Sequence, residues 1–231
     1  MLITGASGVF SDSVIRLLSK KDYNLILTDI NTDKCNKLVK ELLIDEKSYL
    51  IDSCDVTDEE SIDQMLKSTK TKFESIDILI HIAGTYRGGN PAHETALNTW
   101  DFLFNLNAKS FLLLAKKIVP SMIKKKYGVI ITISSKSAME KSPNSGVYAA
   151  SKSATFKLTE SLANELLDKG IRVNTILPSI IDTKQNREMM SGSDFSKWVH
   201  LDSVANVINF LISDNAKDIS GAGIPVYGRV S

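Results

Sequence analysis

The feature that most constrains this chain is an alternation between two kinds of apolar pattern. Short apolar runs fall at Leu2–Thr4, Leu25–Thr28, Tyr49–Ile51, Ile78–Ile82, Val129–Ile133, Val173–Leu177 and Ile224–Tyr227. They do not alternate with polar residues, and several are rich in isoleucine or valine, as in strands buried on both faces of a parallel sheet. Longer segments of helical period lie between them, at Val9–Lys21, Thr32–Ile44, Glu59–Phe73, Leu97–Lys125, Tyr148–Lys169 and Ser203–Ser213. Strand–helix–strand repetition with right-handed crossovers predicts an α/β fold: a doubly wound (Rossmann) parallel sheet of about seven strands with helices on both faces. No linker, low-complexity tract or internal repeat interrupts the pattern, so residues 1–231 read as one domain.

Charge and composition exclude several classes of function. Twenty-eight basic side chains against twenty-seven acidic ones leave a net charge of +1, too little to draw the protein onto nucleic acid or an anionic membrane. No apolar stretch approaches about 18 residues, and Met1 leads straight into Leu-Ile-Thr-Gly, so neither a membrane span nor a signal peptide is expected. Cys35 and Cys54 form no C-x-x-C pair and read as reduced thiols of a cytoplasmic protein. His81, His93 and His200 are too scattered for a zinc site, and no metal is expected.

In a sheet of this kind ligands bind beyond the carboxyl ends of the strands. The first such turn is Thr4-Gly5-Ala6-Ser7-Gly8-Val9-Phe10-Ser11. Its glycines suit close approach of a pyrophosphate to the following helix N-terminus, and equally a plain strand-to-helix turn. Without Gly-Lys-Ser/Thr it is not a P-loop. Asp29 ends the second run 24 residues after Gly5, where a carboxylate accepts hydrogen bonds from the adenosine ribose or caps the next helix. It would repel a 2′-phosphate, and no Arg or Lys lies within Ala6–Val9, so the pattern favours NAD(H) over NADP(H). Asp55-Val56, at the end of the third run, is placed either to meet an adenine or to cap the helix beginning near Asp58. Tyr148 and Lys152 stand four apart and share one helical face. A free phenol, with a pKa near ~10, is a poor base at neutral pH, and an ammonium beside it draws that pKa toward the working range.

Ser135 closes Ile133-Ser134-Ser135, thirteen residues before Tyr148, and Asn107 follows Leu106 in the long helical segment. These residues join Tyr148-Ala149-Ala150-Ser151-Lys152 in an ordered set with Thr4-Gly5, Asp55-Val56-Thr57-Asp58, Ala83-Gly84, Arg172-Val173-Asn174, Leu177-Pro178, Thr183 and Ile219-Ser220-Gly221. The set resembles the short-chain dehydrogenase/reductase family, classical type, over nearly the whole chain. The resemblance implies an NAD(P)-dependent oxidoreductase that moves a hydride between nicotinamide and a secondary alcohol or ketone, in the pattern of 3-oxoacyl-carrier-protein reductases and sugar or polyol dehydrogenases. It implies catalytic roles for four residues. Tyr148 is the general acid/base, Lys152 lowers its pKa and holds the nicotinamide ribose, Ser135 orients the substrate oxygen, and Asn107 positions a water linking Lys152 to solvent. The implied cofactor site comprises Gly5, Ser7, Gly8, Val9, Phe10, Asp29, Asp55, Val56, Ala83, Gly84, Tyr148, Lys152, Pro178, Ile181 and Thr183.

The chain departs from the family pattern in places. Val9 and Ser11 stand where the family has its second and third glycines, and His81-Ile82 replaces an Asn-Asn pair. Val9 is expected to crowd the ligand and Ser11 to intrude between helix and sheet, so an alternative is a family-fold binding or regulatory protein with impaired cofactor binding. His81 reads as a hydrogen-bonded strand-end histidine. A substrate lid is expected between Thr183 and Asp202, where Met189, Met190, Phe195 and Trp198 either face an apolar substrate or pack the lid down. Arg87 is either a solvated loop residue or a ligand for carboxylate or phosphate. The resemblance also implies a homodimer or homotetramer, through Leu97–Lys125 and Tyr148–Lys169.

Overall fold

Leu2 and Ile3 are both fully buried, yet they belong to opposite sides of the molecule. That division, set by the two-residue period of an extended chain, runs through the central sheet. The computed structural model describes residues 1–230. Its strands β1 (Leu2–Thr4), β2 (Leu25–Asp29), β3 (Tyr49–Ser53), β4 (Ile78–His81), β5 (Gly128–Ile133), β6 (Ile171–Pro178) and β7 (Gly223–Val226) form one sheet in the order β3-β2-β1-β4-β5-β6-β7. All neighbouring strands pair in parallel, with Thr4 opposite both Thr28 and His81. Strand order reverses between β1 and β4, so the crevice for a ligand opens there.

Helices cover both faces. Ile3, Leu27, Ile80 and Ile131 pack with α1 (Val9–Leu18), α2 (Asp33–Glu41) and α8 (Leu201–Ile212). Leu2, Ile26, Leu79 and Ile130 pack with α3 (Glu59–Lys72), α5 (Ser110–Lys125) and α6 (Gly146–Glu165). The doubly wound sheet expected from the apolar runs is therefore present, with strand ends moved by one or two residues. Asp58 caps α3 by accepting the Ser61 amide at 3.0 Å. Helices α1 and α2 stop three residues short of the expected ends, α6 begins at Gly146, and α8 begins at Leu201.

The segment expected as one helix over Leu97–Lys125 is instead three pieces. After α4 (Leu97–Phe104) comes a π-helical turn, Asn105–Lys109, in which the Ser110 amide reaches back to the Asn105 carbonyl before α5 resumes. Its cause is tertiary: the Thr155 hydroxyl donates to the Asn107 carbonyl at 2.7 Å, and the Asn107 side chain bonds to Thr85 and Ser151. Such one-turn widenings recur at functional sites. The lid carries a further short helix, α7 (Lys184–Met189), that the apolar pattern did not reveal.

His81, at the end of β4, is buried and held at both ring nitrogens, Nδ1 2.8 Å from Thr4 Oγ1 and Nε2 3.0 Å from Ser110 Oγ. The partners fix the direction of the chain. Ser110 donates its proton to the Leu106 carbonyl at 2.5 Å, so it accepts from Nε2–H, while Thr4 accepts the Ala83 amide at 3.3 Å and donates to Nδ1. The ring is thus the neutral Nε2–H tautomer, and burial pushes its pKa from about 6.5 to about 3. The unfolded chain binds this proton near pH 6.5 and the folded one only near pH 3, so stability is full above pH 6.5 and falls as pH drops through that window. The expected loss is about 1.4 kcal/mol per pH unit. Urea unfolding at pH 7 and pH 4.5 should show this loss in the natural chain and a smaller one in His81→Asn.

Candidate active site

A cleft of ≈ 1330 Å³ opens over the carboxyl ends of the strands. On the β1 side Gly5 takes φ +66°, and a Cβ there would stand 2.8 Å from the Ala83 amide nitrogen, so the two turns meet as bare backbone. Gly8 precedes α1 without a side-chain cap, and the Val9 and Phe10 amides find no backbone acceptor. These two free N–H groups open onto the cleft at the positive end of a helix, which suits an anion. Val9, 54% exposed, itself lines the cleft, as expected of a side chain placed to crowd a ligand. Ser11 does not intrude. Its buried hydroxyl donates to the Gly5 carbonyl at 2.6 Å and closes the turn.

Asp29, Val56, Ala83, Gly84, Pro178, Ile181 and Thr183 also line the cleft. Asp29 accepts the Ser7 amide at 3.0 Å, which holds the carboxylate against the first turn. Ser7 itself lies behind the lining, its hydroxyl donating to the Asn31 carbonyl. Asp55 lies outside the lining; its Oδ1 accepts both the amide and the hydroxyl of Thr57, at 2.8 and 2.7 Å, while Oδ2 takes no hydrogen bond among the described residues. Cys54 lines the cleft in its place. Nothing in the sequence distinguished Cys54 from an ordinary core thiol.

On the β5 side Ser135, Tyr148 and Lys152 share the cleft wall. Lys152, on the first turns of α6, is 5% exposed, and its ammonium donates to the Ile133 carbonyl at 2.9 Å. Two of its three N–H donors have no protein acceptor. Burial lowers its pKa to about 8. Burial pushes the Tyr148 phenol up, and the neighbouring Ser135 hydroxyl opposes this. In the bare protein the phenol is therefore raised, contrary to the lowering expected from its lysine neighbour. Asn107 lies outside the lining, behind Gly84, where a Cβ would stand 3.0 Å from both Asn107 Oδ1 and Lys152 Nζ. Its amide accepts the Thr85 N–H at 2.9 Å and donates to the Thr85 carbonyl and Ser151 hydroxyl, which fixes the turn after β4.

The substrate half lies beyond Tyr148. Tyr86 packs edge-on against Tyr148 with ring centroids 4.9 Å apart, and its hydroxyl is 3.0 Å from Ser145 Oγ. The lid divides its side chains between two tasks. Met189 and Met190 face the cleft, whereas Phe195 packs at a tilt of 58° against a buried Trp198, and Arg187 pairs with Asp182 over the Phe195 ring. The carboxylate of Asp29 at the end of β2, the free amides beside Gly8 after β1 and the spare donors of Lys152 on the β5 side follow one another across the sheet in the order in which a nicotinamide dinucleotide presents adenosine ribose, pyrophosphate and nicotinamide ribose. The residues fit that cofactor.

A family model for short chain dehydrogenases matches residues 1–194. The chain is 30% identical to the 3-oxoacyl-[acyl-carrier-protein] reductase FabG of Rickettsia conorii, over 98% of this chain and 94% of that protein. It is 31% identical to an uncharacterized oxidoreductase of Staphylococcus saprophyticus, over 79% of this chain and 78% of that protein. Among solved structures, ElxO with NADP bound superposes with a TM-score of 0.90 at 26% identity, covering 98% of this chain and 96% of that one. The chain belongs to the short-chain dehydrogenase family. It is an oxidoreductase of the CH–OH/C=O class, working with a nicotinamide cofactor.

The buried ammonium can be observed directly. Lysine-selective carbon-13 NMR of the cofactor-free protein is expected to show a side chain titrating near pH 8. That resonance should vanish in Lys152→Met.

Proposed function

We propose that the chain carries hydride between NAD(H) and a small-molecule secondary alcohol or ketone, with Tyr148 as general acid/base. The observation that carries this reading is the meeting of the Tyr148 phenol, the Ser135 hydroxyl and the buried Lys152 ammonium on one wall of a dinucleotide-shaped cleft. When bound, the cofactor supplies or receives the hydride at its nicotinamide ring. The protein manages the oxygen. Ser135 holds the substrate oxygen beside Tyr148, and Tyr148 gives its proton to that oxygen in reduction or removes it in oxidation. The phenol is protonated at neutral pH, so it can donate to a carbonyl oxygen directly, whereas oxidation draws on its tyrosinate form.

Lys152 holds the nicotinamide ribose with its two spare donors and places positive charge beside the phenol when the tyrosinate forms. Asn107 acts through Thr85 and Ser151, fixing Gly84 so that nothing stands between Lys152 and the cleft. The Val9 and Phe10 amides take the pyrophosphate. Asp29 receives the adenosine ribose hydroxyls and disfavours a 2′-phosphate, which supports NAD(H) over NADP(H). The proposed assembly is a homodimer or homotetramer through α4, α5 and α6, where Leu97, Trp100 and Leu112 leave apolar surface exposed.

Titration with NADH and NADPH, read by energy transfer from Trp100 and Trp198, is expected to saturate, with NADH the tighter ligand. Asp29→Ala should narrow the difference. Tyr148→Phe should lower turnover by about 10²–10⁴-fold while NADH affinity holds. The kcat/KM for ketone reduction should fall as pH rises through about 8, as free Lys152 loses its charge. Retained turnover in Tyr148→Phe would remove Tyr148 from its role, and absence of saturation by either cofactor would remove the reading altogether.

A further inference from the structure

Beyond the dinucleotide half, the cleft contains one guanidinium that the fold holds in place and leaves chemically unused. Arg87 follows Tyr86 directly, and its guanidinium carbon lies 3.6 Å from the centroid of the Phe102 ring on α4. It lines the cleft, yet makes neither an ion pair nor a hydrogen bond with any described residue. Stacking engages the flat face of a guanidinium and leaves the N–H groups of its edge available, the geometry that recognises an oxyanion through two parallel hydrogen bonds.

The segment around it is pinned on both sides. Tyr86 bonds to Ser145, and the Gly89 amide donates to the Asn144 carbonyl at 2.7 Å. Arg87 is thus fixed by neighbours rather than left on a wandering loop, which lowers the entropy lost when a ligand binds. The other charges on this wall are differently disposed. Lys136 is occupied by the Val230 carbonyl at 2.9 Å and by Glu140 at 3.5 Å, which in turn takes up the wall's carboxylate. Lys141 also lines the cleft and adds positive charge without a described partner.

Arg87 and the residues of the chemistry share one cleft. Tyr86 touches Tyr148 ring to ring, and Arg87, the next residue, lines the same cleft. One molecule lying along that cleft can therefore place an anion on Arg87 and a carbonyl oxygen at Tyr148. The geometry points to a substrate carrying an oxyanion, a carboxylate or a phosphate ester, in addition to the carbon that exchanges hydride, with Arg87 as its anchor. This assignment rests on the oxidoreductase reading of the same cleft, and the test separates the two.

The probes are two matched pairs, acetoacetate with methyl acetoacetate and dihydroxyacetone phosphate with dihydroxyacetone. Each is assayed by calorimetric binding to the NADH-saturated full chain and by NADH oxidation. In at least one pair the anionic member should be preferred by at least about tenfold. Arg87→Gln should erase that preference, Arg87→Lys should restore part of it, and the neutral member should be handled as before. Which pair responds tells carboxylate from phosphate. Equal handling within both pairs, or a preference that survives Arg87→Gln, overturns the proposal. Failure of the oxidoreductase reading has a separate signature, since NADH oxidation would then be absent with all four probes while calorimetry still reports the anion preference and its dependence on Arg87.

Discussion

At the centre of the molecule the backbone of Gly5 rests against that of Ala83, closer than any side chain permits. The contact joins the turns after β1 and β4, the two strands between which the winding of the sheet reverses. Around it the other polar arrangements fall into place. Ser11 locks the Gly5 carbonyl from behind, Asp29 takes the Ser7 amide beside it, and Thr4 bonds the Ala83 amide from below. The crevice is open because its floor is backbone, and the amide dipoles of α1 point into it for the same reason.

The histidine at the end of β4 shows how one substitution is absorbed when its partners change with it. Asparagine offers a donor and an acceptor on a short stem, and His81 offers the same pair across a larger ring. The larger span reaches from Thr4 on β1 to Ser110 on α5, and the ring's face stacks on Phe111 at 6.0 Å. A buried imidazole is held here in one tautomer by two hydroxyls, one donating to it and one accepting from it. Its contribution is to the joint between sheet and helix.

Much of this architecture was legible in the residues because it depends on period and spacing. Strands buried on both faces must be apolar throughout, and Tyr148 and Lys152 must share a helical face, so both left a mark that survives without coordinates. Other features depend on partners far apart in the chain. The π-turn at Asn105–Lys109 continues a helical pattern without a break, and its cause is a hydroxyl on α6, 48 residues away. The turn of Asp55 toward Thr57 and the stacking of Arg87 on Phe102 depend on neighbours that are fixed only in three dimensions. The polar sequence of α7 is too short to carry an apolar face.

The π-turn also bears on how this cleft was made. A widened turn holds one residue more than the α-helical path would, and one residue is about 100° of rotation. Everything downstream on α5 is therefore indexed to that extra residue: with it, Ser110 meets His81 and Phe111 meets the sheet. Without it, the same letters would form an equally regular helix with its faces turned by about 100° relative to the sheet. In this protein a sequence of uniform helical period acts as a gear with one added tooth, and the added tooth decides which face of α5 closes on the sheet.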